Sequence, residues 1–256
     1  MPVNRPLCKA PLRKSGAPAW ACPTCGAGHF RLMPDSVAVA WNAATHAASS
    51  HDAFYSWCVT SKFTAILVCD NPACKEAAGV SGRGSVSEEP NQQMTEIEYV
   101  DVLFPEYFRP SPNLINIPPR CPAPVKALLE LAFTASWGDY ASAAHHLRSA
   151  VEGTLTALGV RRTQTRNHRR TPLTLHARIQ LLDAKYASSS RELLALKILG
   201  NAGSHPGVLT QEDVFDALDI FETVLANLFS TEAARVNRLV AAVNSRRAPL
   251  RRPRTT

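Results

Sequence analysis

Two cysteine pairs, Cys22-Pro-Thr-Cys25 and Cys69-Asp-Asn-Pro-Ala-Cys74, constrain this chain more than any other feature. Each pair sits at a turn, and Pro23, Gly26 and Pro72 suit such turns. Together they supply four thiolates, the donor set of a tetrahedral zinc site. An all-cysteine site is coordinatively closed, so the one expected zinc ion is structural, held by Cys22, Cys25, Cys69 and Cys74. Binding at such a site couples to folding by on the order of 10 kcal/mol. Cys8, Cys58 and His29 are competing ligands; Cys58, beside Trp57, and Cys121 read as structural residues. The pairs have 43 residues between them, which makes Arg31 to Ser61 an insertion, with Val37 to His46 expected as helix.

Compartment follows from the same cysteines. The segment Met1 to Gly16 has no apolar core of a secretory signal, and Phe63 to Cys69, the longest apolar stretch, is too short to span a bilayer. A soluble cytoplasmic protein with no membrane partner is expected, and in a reducing compartment paired cysteines favour metal over disulfide.

The net charge of +7 is unevenly placed. Arg161, Arg162, Arg166, Arg169 and Arg170 share one acid-free stretch, and Arg246, Arg247, Arg251, Arg252 and Arg254 share another. Without these ten, 18 basic residues face 21 acids, so the body is mildly acidic and the basicity sits in two segments expected to be mobile. Such segments hold phosphate backbones by counterion release, or serve only as solubilising charge.

The chain divides into a flexible leader (1–16), a small zinc-ribbon-like β module with its insertion (17–103), a proline-rich linker (104–121), a helical domain (122–245) and a disordered basic tail (246–256). Lys62 to Cys69, Gly79 to Ser87 and Thr95 to Leu103 are the strand candidates. Seven prolines between Phe104 and Pro124 argue against helix there. Helices are expected from Pro122 to Trp137, from Tyr140 to Leu158 behind Asp139, from Thr171-Pro172 with a face of Leu175, Ile179, Leu182 and Tyr186, from Ser190 to Leu199, and from a capping box at Thr210 and Asp213. The last carries Val214, Leu218, Phe221, Leu225 and Leu228 on one stripe. The expected class is α+β: the β module, then an antiparallel helical bundle.

Polar residues interrupt two helical faces. Arg148 and Glu152 are four apart, and Asn201 and His205 follow Gly200 in a run of small residues. One reading is a network of Arg148, Glu152, Asn201 and His205 that transfers a proton and binds phosphate; the other is a salt bridge that sets helix register. His145 and His146 are adjacent and read as one surface and one boundary histidine.

The run Gly200-Asn201-Ala202-Gly203-Ser204-His205, with Arg148-Ser149-Ala150-Val151-Glu152 and the lead-in Phe104-Pro105-Glu106-Tyr107-Phe108…Ile117-Pro118-Pro119-Arg120-Cys121-Pro122, resembles a bacterial domain-of-unknown-function family over about residues 20–230. Members of that family often carry an N-terminal zinc ribbon, and the family looks like a branch of the HEPN helical superfamily. The resemblance implies a HEPN-like bundle, an association with prokaryotic defence, and a metal-independent ribonuclease site of arginine and histidine, usually paired across a dimer. His205 matches the histidine, but Ile198, Leu199 and Gly200 stand where the arginine belongs, leaving Lys197, one residue outside the spacing, or Arg148 to steady a phosphate.

The expectation is therefore a non-catalytic interaction or regulatory module that engages RNA, DNA or a protein partner and forms a homodimer. The alternatives are a ribonuclease using His205 with Lys197 or Arg148, and a purely structural domain.

Overall fold

The computed structural model describes residues 2–91, 93–166, 168–182, 186–203 and 209–246. After a short helix α1 (Arg5–Lys9), the chain forms β1 (Phe30–Leu32), β2 (Ala38–Trp41), α2 (Ala43–Ala48), β3 (Thr60–Cys69), β4 (Ala77–Pro90) and β5 (Ile97–Arg109). Helices α3 (Ala123–Ala135) and α4 (Tyr140–Ala157) follow, then a two-stranded ribbon, β6 (Thr163–Arg166) and β7 (Arg169–Pro172). Helices α5 (Leu175–Gln180), α6 (Ala187–Ala202), α7 (Gln211–Phe229) and α8 (Thr231–Arg246) complete it.

The mixed α and β content matches expectation, but the β half is not a small zinc ribbon. It is a five-stranded antiparallel sheet, with β1 and β2 both on β3, then β4 and β5, curled into a half-barrel. The reason lies in strand length: β3, β4 and β5 run 10, 14 and 13 residues, so the ladder extends far beyond the cysteine turns. On β3, alternate residues Ser61, Phe63, Ala65, Leu67 and Cys69 face the interior, the period of two that one buried face demands.

Three local expectations change for related reasons. The insertion forms β2 and α2, not one helix, because Asn42 caps α2 by accepting from the Thr45 amide at 2.8 Å. The supposed linker begins as strand: β5 continues through Pro105 to Arg109, and the register shift at Ser81 and Gly82 lies opposite that proline. Thr171-Pro172 belongs to β7, and α5 instead starts after Thr174, whose hydroxyl accepts from Ala177. Helix α6 also runs past Gly200 to Ala202.

Residues expected as a loose leader are docked. Val3 and Leu12 are buried, and Leu12 exchanges two backbone hydrogen bonds with Leu103 of β5. Arg5 pairs with Glu212, Asp216 and Asp219 at 3.0, 2.6 and 2.9 Å, all on the outer side of α7. The capping box at Thr210 and Asp213 is formed, and the stripe of Val214, Leu218, Phe221 and Leu225 is buried. Each such side chain contributes roughly 1.5–3 kcal/mol relative to exposure.

The sheet and helices share one core. Trp20 meets Phe108 and Trp137 with ring centroids at 5.2 and 5.7 Å, and Phe108 meets Trp137 at 5.2 Å. Both indole N–H groups are satisfied, Trp20 by the Leu7 carbonyl at 3.0 Å and Trp137 by the Ser111 hydroxyl at 2.9 Å.

Replacing Arg5 with Met should lower stability by about 1–2 kcal/mol, since half-exposed partners and salt screening limit each pair. Lys9 first, then Arg5, hold the Glu212 carboxyl below its ordinary range. Its stabilising effect is therefore complete above the unfolded carboxylate value and is lost as pH falls through the lower folded value. Thermal melts from pH 7 to pH 3 should show a smaller acid-dependent drop in Arg5→Met than in the parent.

Candidate metal centre and polar seam

The cysteine turns are brought together by strand register. Phe30 of β1 lies opposite Cys69, the last residue of β3, so the turn before β1 sits beside the turn after β3. The first turn is closed by an Ala21–His29 bridge and by the Cys22 amide donating to the Gly28 carbonyl at 2.9 Å. Asp70 then joins the turns, accepting from the His29 amide at 2.8 Å and from Arg31 at 3.1 Å, and these donors hold its carboxyl below the usual range. Thr24 donates to Glu76 at 2.8 Å and adds a second link.

All four sulfurs lie within 4.8 Å of one another, with Cys22 to Cys74 at 3.8 Å and Cys25 to Cys69 at 3.7 Å. A disulfide needs about 2.05 Å, so these are free thiols. A tetrahedral metal–thiolate centre with bonds of about 2.3 Å has sulfur–sulfur edges of about 3.8 Å, which the Cys22–Cys74 and Cys25–Cys69 distances match. The four cysteines therefore could hold one metal ion. Cys8, Cys58 and His29, the competing ligands, are not in this cluster.

The surroundings are shaped for it. A Cβ on Gly28 would lie 2.6 Å from the Cys69 sulfur, so no larger residue fits against the cluster. Amides of Ala27 and Gly28 point at the Cys25 sulfur and lower its pKa to about 6, whereas burial pushes Cys69 up to about 12. Metal uptake must displace protons from the buried thiols, so affinity falls with falling pH.

The second candidate site lies between α4 and α6. Arg148 donates to the Asn201 side chain and its Nε lies 3.8 Å from Glu152. The structure thus brings together three of the four network residues; His205 lies outside the described residues. Lys197 is half-buried on α6. The small residues of the Gly200-Asn201-Ala202-Gly203 run serve close packing: a Cβ on Gly200 would lie 2.8 Å from Arg148 Cβ, and one on Gly203 would lie 3.1 Å from Ala144 Cβ. The cavity beneath this seam, lined by Ala144, Leu147, Leu196 and Gly200 among others, measures about 10 Å³. That volume is far below the several hundred Å³ of a small-molecule site. His145 is exposed and His146 half-buried, and burial lowers the His146 pKa.

Arg178 was missed by sequence reasoning. It is buried at the end of α4, donating to the Glu152 and Val160 carbonyls at 3.3 Å each and to the Thr156 hydroxyl at 2.9 Å. A cation there offsets the negative end of the helix. The available signal was an arginine between Leu175 and Ile179 on an otherwise apolar face.

The first arginine segment is not a loop but the β6–β7 ribbon, with Thr165 opposite Arg170 and Arg166 opposite Arg169. The Leu173 amide bonds the Arg162 carbonyl and closes its base. Arg161, Arg162, Arg169 and Arg170 are exposed, and Arg170 also donates to Thr163 at 2.8 Å. Of the second segment, Arg246 ends α8, while Arg247, Arg251, Arg252 and Arg254 lie outside the described residues.

Comparison with known families divides the chain at the same place as the structure. Residues 10–108 match a family described as Domain of unknown function (DUF8608), and residues 130–247 match one described as Domain of unknown function (DUF4145). The first match spans the cysteine cluster and the sheet, and the second covers helices from late α3 onward. No curated protein and no solved structure matches the chain. Among the described residues, no helix is long and apolar enough to cross a membrane.

Two outcomes test these geometries. If the cluster holds a metal, elemental analysis should find it in the parent and not in the double variant Cys25→Ser/Cys74→Ser, which should melt well below the parent. Gly200→Ala should cost about 1–3 kcal/mol by overpacking the α4–α6 seam, measured by urea unfolding.

Proposed function

We propose that the chain is a non-catalytic binding module, stabilised by one structural zinc ion, that holds nucleic acid through its phosphate backbone. Zinc suits a closed tetrahedral set of four thiolates and has no redox demand to satisfy; iron is the other metal that accepts such a set. The order of the Arg148…Glu152 and Gly200-Asn201 motifs supports a HEPN-like reading of the helical half.

The nucleic-acid reading is carried by the β6–β7 ribbon. Four exposed arginines stand on or beside it, with no acid between Arg161 and Arg170. A guanidinium fork suits phosphate oxygens, and each phosphate neutralised releases counterions. What favours binding over catalysis is the engagement of Arg148 with Asn201 and Glu152, since a scissile phosphate would have to displace both partners.

The test uses full-length protein, a labelled 20-nucleotide single-stranded RNA and EDTA-treated buffer, with affinity followed by anisotropy from 50 to 300 mM KCl. Replacing Arg161, Arg162, Arg169 and Arg170 with Ser should weaken binding and reduce the log–log salt slope by about 0.7 for each phosphate no longer neutralised. Binding that ignores salt, or no binding, sinks the reading. Cleavage that disappears in His205→Ala replaces it with a ribonuclease. Elemental analysis should find one zinc per chain.

A further inference from the structure

The far end of the β4–β5 hairpin is built differently from the rest of the sheet. β3 pairs with β4 only as far as Thr60 opposite Ser85, whereas β4 and β5 remain paired to Pro90 opposite Ile97. Residues 86–101 therefore project past β3 as a two-stranded arm. The turn Ser56–Cys58 covers the β4 side, where the Ser56 hydroxyl donates to Glu88.

The β5 side is open. Leu103 turns its amide and carbonyl away from β4 and bonds Leu12 with both, at 3.0 and 2.7 Å. Peptide groups alternate along a strand, and the β4–β5 register is regular from Pro105 to Ile97. Asp101, Tyr99 and Ile97 therefore present their amides and carbonyls on the same outer side as Leu103. Among the described residues, none of the three makes a backbone hydrogen bond there. The backbone pairing of the N-terminal segment stops at Leu103; beyond it only side chains reach the arm, Lys14 paired to Asp101 at 2.7 Å and Arg13 to Glu89, opposite Glu98, at 2.6 Å.

The arm is also acidic and rich in exposed apolar groups. Residues 86–101 hold five acids and no base; beyond those paired with Arg13 and Lys14, Glu88, Glu96 and Glu98 remain. Ile97 and Tyr99 are 63% and 69% exposed, on the strand face that Glu88 shares. Tyr55 and Trp57, flanking Ser56, stack on each other at 4.4 Å, and Trp57 is 69% exposed. Aromatic faces and carboxylates together attract guanidinium and ammonium groups, and they repel a phosphate backbone.

We infer that the outer edge of β5 from Ile97 to Asp101 is a docking site for an extended, arginine- and lysine-rich segment of another protein, which adds to the sheet as a sixth strand. Backbone hydrogen bonds supply the attachment, while the carboxylates and the Tyr99 ring select basic side chains. The site is separate from the metal centre and from the arginine ribbon, and it stands whether or not the nucleic-acid reading does. Edge carboxylates also discourage strand pairing with further copies, so a basic partner is admitted where an identical acidic edge is not.

The experiment uses the full-length protein and a ten-residue peptide of alternating arginine and threonine. Its controls are the glutamate–threonine counterpart and an arginine–threonine peptide N-methylated at every second residue, which keeps the charge but loses one bonding edge. Amide exchange at Ile97, Tyr99 and Asp101, read by NMR, should slow at least tenfold with the first peptide and remain unchanged with both controls. Glu96→Lys/Glu98→Lys should weaken binding at least tenfold. Absence of binding, or equal binding of the N-methylated peptide, overturns the proposal, the latter because charge alone then explains attachment. Protection without any peptide also overturns it. If that protection fades on dilution, a second copy holds the edge; if it fades in Arg251→Ser/Arg252→Ser/Arg254→Ser, the chain's own C-terminal segment does.

Discussion

The contact on which the rest depends is the aromatic junction of Trp20, Phe108 and Trp137. Trp20 precedes the first cysteine turn, Phe108 lies near the end of the longest ladder, and Trp137 follows α3. Three elements distant in sequence are thereby joined at one point. Aromatic pairs of this kind add about 0.5–1.5 kcal/mol each beyond the area they bury. Their larger effect is geometric: the junction fixes the sheet on the helices, and the segment after Arg109 then runs along α7, where the Asn116 amide donates to Glu222 at 2.9 Å. The docked N-terminus closes the same assembly from the opposite direction, with Val3 and Arg5 both held by Asp219.

Much of this was legible from local chemistry. The cysteine spacing located four thiols that do converge, because turns bearing paired ligands need only one strand register to meet. The Thr210–Asp213 box and the stripe beginning at Val214 marked α7 unambiguously, since cap and period agree. What escaped was set by pairing between distant segments. Nothing near Pro105 announces a strand; it is tolerated because its nitrogen, like the Leu103 amide, faces the outer edge of β5, where no bond to β4 is lost. Arg5 looked like part of a solvated leader, and only the acidic outer side of α7 reveals its role. The ribbon at Thr163 to Pro172 was obscured by its charge, because arginines on both strands mask the alternation that ordinarily marks β-structure.

The glycine run at Gly200 lies at the C-terminal end of α6, where Gly200 and the C-cap Gly203 permit close approach to α4. Arg148 sits at the rim of that approach, tied to Asn201 and Glu152. Arg178, hidden beneath the same helix, ties α5 to the end of α4. Both arginines bridge neighbouring helices, whereas Arg161, Arg162, Arg169 and Arg170 are exposed on or beside the ribbon.

The backbone bond from the Phe30 amide to the Trp20 carbonyl, 2.8 Å long, has an optical consequence. It ties an indole in the shared core to the strand that leads out of the first cysteine turn, and Cys22 follows only two residues later. That bond gives the cluster and the indole a shared backbone anchor. The buried indole of Trp20 is thus mechanically linked to the first cysteine turn, and a chain whose other three tryptophans were replaced by Phe would report on that turn through its emission.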